Sequence, residues 1–206
     1  MPEPICAGDV VLVDGVGQGL VSVSIAVGER LRYGRASPYA RWTHTAIVYD
    51  APDQDPDRIK IVEATAGARV HMAFISKYEN RSAVVHTHVD KHDWEQVKEF
   101  LDAVLEARAK YDPVAYAGLT LYALTGTSLC IQRAGTATCS GLVADALTRR
   151  GFVWKRPPYA MTPADIAADL ERFQCAMTEN VAGVPAPTIC ARLGQFVQGV
   201  RDQLGS

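Results

Sequence analysis

No apolar run in this chain approaches the about 20 residues that a membrane-crossing helix needs, so no integral membrane segment is expected. The start, Met1-Pro2-Glu3-Pro4-Ile5, lacks the basic opening of a secretory signal peptide, and the expectation is cytoplasmic synthesis, with phage-mediated or other export left open. Charge of one sign is also missing. The 21 Lys and Arg nearly balance 23 Asp and Glu, and the net −2 gives no general attraction to nucleic acid or anionic surfaces. There is no CxxC and no HExxH, and the glycine-rich Gly15-Val16-Gly17-Gln18-Gly19 lacks the lysine of a P-loop, so it reads as a flexible turn. Five cysteines, an odd number at irregular spacing, suggest free thiols in a reducing compartment. Without repeats or low-complexity tracts, the 206 residues suit one full domain, read as 1–183, with 184–206 a short connector and a C-terminal helix.

What the chain does have is a cysteine at the start of an amphipathic helix. In Thr138-Cys139-Ser140-Gly141-Leu142-Val143-Ala144-Asp145-Ala146-Leu147, the residues Leu142, Val143, Ala146 and Leu147 fall on one helical face. Thr136 and Thr138 are candidate N-caps, and Gly151 is a stop signal. A thiol in the first turn faces free backbone N–H groups and the positive end of the helix dipole. Both favour the thiolate, which is the nucleophilic form. The same N–H groups can hold the oxyanion of an attacked carbonyl. A packing thiol is the plainer reading of such a position, and a nucleophile needs a base.

His44 is the candidate base. Trp42-Thr43-His44-Thr45-Ala46-Ile47-Val48-Tyr49 is β-branched and aromatic and predicts a strand. Ala51 to Asp57, with two prolines and three aspartates, predicts a turn, and Arg58 to Thr65 a second strand. Folded as an antiparallel hairpin, the two strands set His44 opposite Glu63 or its immediate neighbour. A carboxylate there would fix the imidazole tautomer and support the imidazolium, completing a nucleophile, base and orienter.

The rest of the pattern predicts an α+β chain with an antiparallel sheet. Val10 to Val13 is a strand, Leu20 to Val27 a helix, and Arg69 to Phe74 and Ser82 to Val89 are further strands. A helix follows with Asp93 as N-cap and a core stripe of Trp94, Val97, Leu101, Val104 and Leu105, ended by Tyr111-Asp112-Pro113. His86, His88 and His92 around Asp90 suit a solvated strand better than a zinc site, and no metal or other cofactor is expected. His71 reads as a surface residue, and Cys6, Cys130, Cys175 and Cys190 as packing thiols. After the stiff Val184-Pro185-Ala186-Pro187-Thr188, the residues Ile189, Leu193, Phe196, Val197, Val200 and Leu204 form a helical stripe that would either dock on the domain or support self-association.

A His strand, a Glu on the next strand and a Cys at a helix start, in that order, resemble the permuted papain-like hydrolases of the NlpC-type superfamily, in particular the YiiX-like branch. Ala7-Gly8-Asp9-Val10-Val11-Leu12-Val13 is similar to that family's opening Gly-Asp strand. Trp42 to Val48 resembles its His strand, Ile61-Val62-Glu63-Ala64 the strand after it, and Thr138 to Val143 its Cys-Ser helix start. Met161-Thr162-Pro163-Ala164-Asp165-Ile166-Ala167 is similar to the segment that trails that helix. The resemblance spans Gly8 to Leu170 and implies a circularly permuted papain-like fold. It also implies a cysteine hydrolase with Cys139, His44 and Glu63 as its set, acting on peptide, isopeptide, peptidoglycan-type or acyl substrates. The alternatives are a thioester-forming acyltransferase and a non-catalytic structural or binding protein that keeps the fold.

Overall fold

Val10–Asp14 (β1) is apolar on both faces and almost wholly buried, which a strand tolerates only in the middle of a covered sheet. It sits there. The computed structural model describes residues 3–14, 19–34, 36–112 and 135–182, with 114, 115, 118 and 121 besides. β1 pairs with Trp42–Asp50 (β2) on one side and Ser82–Val85 (β5) on the other, and Lys60–Ala64 (β3) and Val70–Phe74 (β4) extend the sheet beyond β2. The five strands run in the order β4-β3-β2-β1-β5 with every pairing antiparallel. The α-helices given by the described residues are Gly19–Tyr33 (α1), Lys91–Glu106 (α2), Cys139–Arg149 (α3) and Pro163–Ala182 (α4), so the chain is a mixed α+β protein as its pattern predicts. Backbone contacts separate two compact units, Met1–Ala167 and Ala168–Ser206. The glycine-rich stretch 15–18, the connector 184–188 and the apolar stripe 189–204 lie outside the described residues.

Two elements fix the frame of the site. On one side of the sheet Val11, Val13, Ala46, Val48, Ile59, Ile61, Ile75 and Tyr78 form a single buried cluster. α3 lies against β2 and β3, and α2 lies against α3. The predicted apolar face of α3 is fully used, with Leu142, Val143, Ala146 and Leu147 all at 1% exposure or less. Burial of such side chains is worth roughly 1.5–3 kcal/mol each for the larger ones, which holds the helix start in place against the sheet.

Several boundaries differ from expectation, each for a local reason. α2 begins at Lys91 with Asp90, not Asp93, as N-cap, because the Asp90 carboxylate accepts the Asp93 N–H at 2.9 Å. It stops at Glu106, well before Tyr111, where Arg108 turns into the left-handed region at φ +51°. The next residues, Lys110–Tyr111 (β6), instead pair in parallel with Thr136–Ala137 (β7). β5 ends at Val85 rather than Val89, and His88 leaves the extended region altogether at φ +51°. The thiol assignments change too. Cys175 is disulfide-bonded rather than free, and Cys6 is a free but exposed thiol rather than a packing one.

Candidate active site

Thr138 caps α3, as one of the two predicted candidates. Its Oγ1 accepts the Gly141 N–H at 3.0 Å, while its own carbonyl accepts from Leu142. Gly151 follows the helix at φ +84°, a backbone angle that a Cβ would disfavour. The cap places Cys139 as the first helical residue, buried at 4% exposure. Thr138→Ala removes the acceptor and leaves the buried Gly141 N–H unpaired. The expected loss is about 1 kcal/mol of stability, read as a lower denaturant midpoint at unchanged slope.

The second support of the helix start is Ser140, whose Oγ donates to the Met161 carbonyl at 2.6 Å. Met161 precedes a tight knot. Asp165 accepts from the Thr162 N–H and hydroxyl, from Arg32 and Tyr33 of α1, and from Arg156. Thr162 in turn accepts the Asp165 N–H, a reciprocal cap at the start of α4. The Thr-Pro segment therefore fixes the residue beside the cysteine.

His44 and Glu63 meet by a register slightly different from the expected one. β2 and β3 pair Ile47 with Val62 and Val48 with Ile61, with an irregularity between Val48 and Asp50. Continued along the strands, this register puts Glu63 across from Ala46, so it is a diagonal rather than a direct neighbour of His44. The offset from the symmetric hairpin is two residues, and an even offset keeps both side chains on one face. The contact survives as a hydrogen bond of 2.8 Å between His44 Nε2 and Glu63 Oε2. A carboxylate accepts, so Nε2 carries the proton and Nδ1 is left to face the sulfur.

The third side of the triangle closes at the sulfur. The Cys139 thiol lies beside the His44 imidazole, and the N–H groups of Thr45 and Ser140 lie close enough to Cys139 Sγ to favour its charge. The Thr45 donor has a structural origin. Val48 N–H bonds to Asp9 on the β1 side of β2, so the N–H of Thr45, at odd spacing from it, points to the β3 side. The β2–β3 ladder ends at Ile47, and the sulfur takes the place of a strand acceptor there.

These contacts decide the charge state. Burial opposes ionisation of Cys139 most strongly. The adjacent His44 charge, its hydrogen bond and the two backbone N–H groups outweigh burial and bring the thiol below its ordinary pKa. For His44, burial works against the charged ring, but Cys139 and Glu63 together push its pKa up to about 9. Both shifts favour the thiolate–imidazolium form of the pair, and the two protons titrate as a coupled system.

Glu63 is fully buried and saturated with donors. Its Oε2 accepts from His44 and from the Tyr78 hydroxyl at 2.5 Å. Its Oε1 accepts from Lys77 Nζ at 2.5 Å and lies 3.2 Å from His71 Nε2. Burial alone would raise this carboxyl, but the hydrogen bond and charge of His44, then Lys77 and Tyr78, bring it down to about 2. Burial, then the hydrogen bond to Glu63 and its charge, drive the Tyr78 hydroxyl well above the usual phenol range. Tyr78 also stacks at a tilt on His44, with ring centres 5.6 Å apart.

All three residues singled out in the sequence thus meet at one point. Lys77, Tyr78 and the Thr45 and Ser140 N–H groups were not legible there. Ile75-Ser76-Lys77-Tyr78 is a short 3-10 turn after β4, and nothing in its spacing separates it from an ordinary solvated turn. His71 is half-exposed as expected but also faces the Glu63 carboxylate across the β3–β4 pair. His86 binds the Asp9 carboxylate at 2.9 Å, outside this site, and among the described residues no group of three or more His, Cys, Asp or Glu is arranged to hold a metal ion. No described helix is long and apolar enough to cross a membrane. No family model matches the chain and no curated protein matches it, so its chemistry rests on its own residues.

Proposed function

We propose that the chain is a cysteine hydrolase that cleaves amide or ester bonds through an acyl-enzyme, on a permuted papain-like, NlpC-type fold. One observation carries the reading: a buried thiol at a helix start lies beside an imidazole whose Nε2 is held by a buried carboxylate at 2.8 Å. His44 Nδ1 holds the proton taken from Cys139, and the thiolate attacks the substrate carbonyl carbon. The carbonyl π pair moves to oxygen. The resulting oxyanion is met by the Cys139 N–H, one of the first-turn donors that a helix leaves without an internal acceptor. The intermediate collapses, the bond to the amine or alcohol breaks, and the imidazolium passes its proton to that leaving group. Neutral His44 then takes a proton from water, and the hydroxide attacks the thioester. The acid leaves, and Cys139 is restored.

The order of strand His, strand Glu and helix-start Cys supports the superfamily assignment, and with it peptide, isopeptide, peptidoglycan-type or acylated small-molecule substrates. The test offers the protein activated amides and esters with and without added amine or alcohol acceptors. A hydrolase releases the free acid at a rate the acceptors barely alter. Products consisting of the acylated acceptor would make the chain an acyltransferase using the same thioester. No turnover and no acyl adduct with any of them would leave a protein that keeps the fold without the chemistry.

A further inference from the structure

Glu63 stands between two cationic groups of very different exposure. The His44 side chain, facing Cys139, is 16% exposed, whereas the Lys77 side chain is 45% exposed. With Cys139 as thiolate, His44 as imidazolium, Glu63 as carboxylate and Lys77 as ammonium, the four charges sum to zero. Remove Lys77 and the buried group carries a net negative charge beside a thiolate that must form. The other groups facing Glu63 do not replace it. Tyr78 donates but is neutral. His71 stands further off, its Nε2 3.2 Å from Oε1 against 2.5 Å for Lys77 Nζ, and its Nδ1 is engaged with the Arg69 carbonyl at 2.8 Å. Arg81 acts on the hydroxyl of Tyr78, one residue further along the network.

We propose that Lys77 is a positioning residue that holds Glu63 Oε1 and balances its charge, so that the Cys139–His44 ion pair forms in the neutral range. The proposal rests on the cysteine-hydrolase reading. Lys77 touches neither the sulfur nor the imidazole; it meets Glu63 Oε1 directly and also lies over the Tyr78 ring, 5.1 Å from its centre. Loss of a positive charge makes every nearby group hold its proton more tightly. The acid limb set by Cys139 and the basic limb set by His44 should therefore both move to higher pH, a displacement that loss of packing alone does not produce.

The experiment is the rate of carbamidomethylation by iodoacetamide against pH, read peptide by peptide, which needs no substrate. Exposed Cys6, whose thiol burial and the Asp9 and Glu3 charges push up, serves as the internal comparison. In the parent, Cys139 should label at a pH where Cys6 does not. Lys77→Met should move the Cys139 profile up by about half a pH unit, and Lys77→Arg should return it. A parent with the low-pH limb and a Lys77→Met profile that does not move would overturn the role of Lys77 and leave the hydrolase standing. A parent in which Cys139 labels only as an ordinary thiol would overturn both.

Discussion

Cys139→Ala is expected to lower kcat/KM by at least about ten-thousand-fold with the fold intact, because a nucleophile removed from a cooperating set takes nearly all the chemistry with it. The fold should survive because α3 is held by other groups. Leu142, Val143, Ala146 and Leu147 keep their burial, and Thr138 and Ser140 keep their hydrogen bonds to Gly141 and Met161. The substitution also removes the sulfur that helps charge His44. The imidazole pKa should then fall from about 9, while the Glu63 contact still acts on it. Ring-proton NMR of the alanine variant reads that fall directly, and circular dichroism reads the fold. A variant that retains parental turnover would end the cysteine mechanism.

Glu63→Gln keeps the shape and removes the charge, and a rate loss on the order of ten- to a thousandfold is expected. The sign of the pH effect follows from the shifts. The carboxylate favours the imidazolium, so its loss lowers the His44 pKa and moves the basic limb of the rate profile down from about 9. By the same Coulomb rule the acid limb, set by Cys139, also moves to lower pH. The rate loss should therefore be larger at pH 8.5 than at pH 7, roughly in proportion to the His44 protons lost. The amide brings a second cost. Its NH2 must face either His44 and Tyr78 or Lys77, all of which donate to the present carboxylate. A stability loss of about 1–3 kcal/mol is expected from that mismatch, and a melt measured beside the kinetics separates it from the chemistry. An unchanged profile would transfer the orienting role away from Glu63.

How much of this was legible in the sequence depends on the range of the interaction. Cap and period are local, so Thr138, Gly151 and the buried face of α3 could be read from the chain, as could β1 and β2. The pairing of His44 with Glu63 required only that a hairpin keep its parity, and the two-residue offset did so. Glu63 could not be seen as a carboxylate holding three donors, His44, Tyr78 and Lys77. Two of its partners, Lys77 and Tyr78, reach it because the turn after β4 carries the chain onto the face that buries Val13 and Ile61, and no residue pattern encodes that. The end of the β2–β3 ladder, which frees the Thr45 N–H for the sulfur, is likewise a property of the assembled sheet. The α2 cap was misplaced by three residues because Asp90 and Asp93 are equivalent as residue types, and only the backbone entering the helix chooses between them.

The most direct test of the account is the site of the covalent intermediate. Intact-mass analysis after brief exposure to activated esters and amides, followed by peptide mapping, asks which atom carries the acyl group. The account predicts one acyl group per chain, on Cys139, labile to hydroxylamine as a thioester is, and absent from Cys139→Ala. An adduct confined to exposed Cys6, or turnover that proceeds in the alanine variant with no acyl group on Cys139, would contradict it.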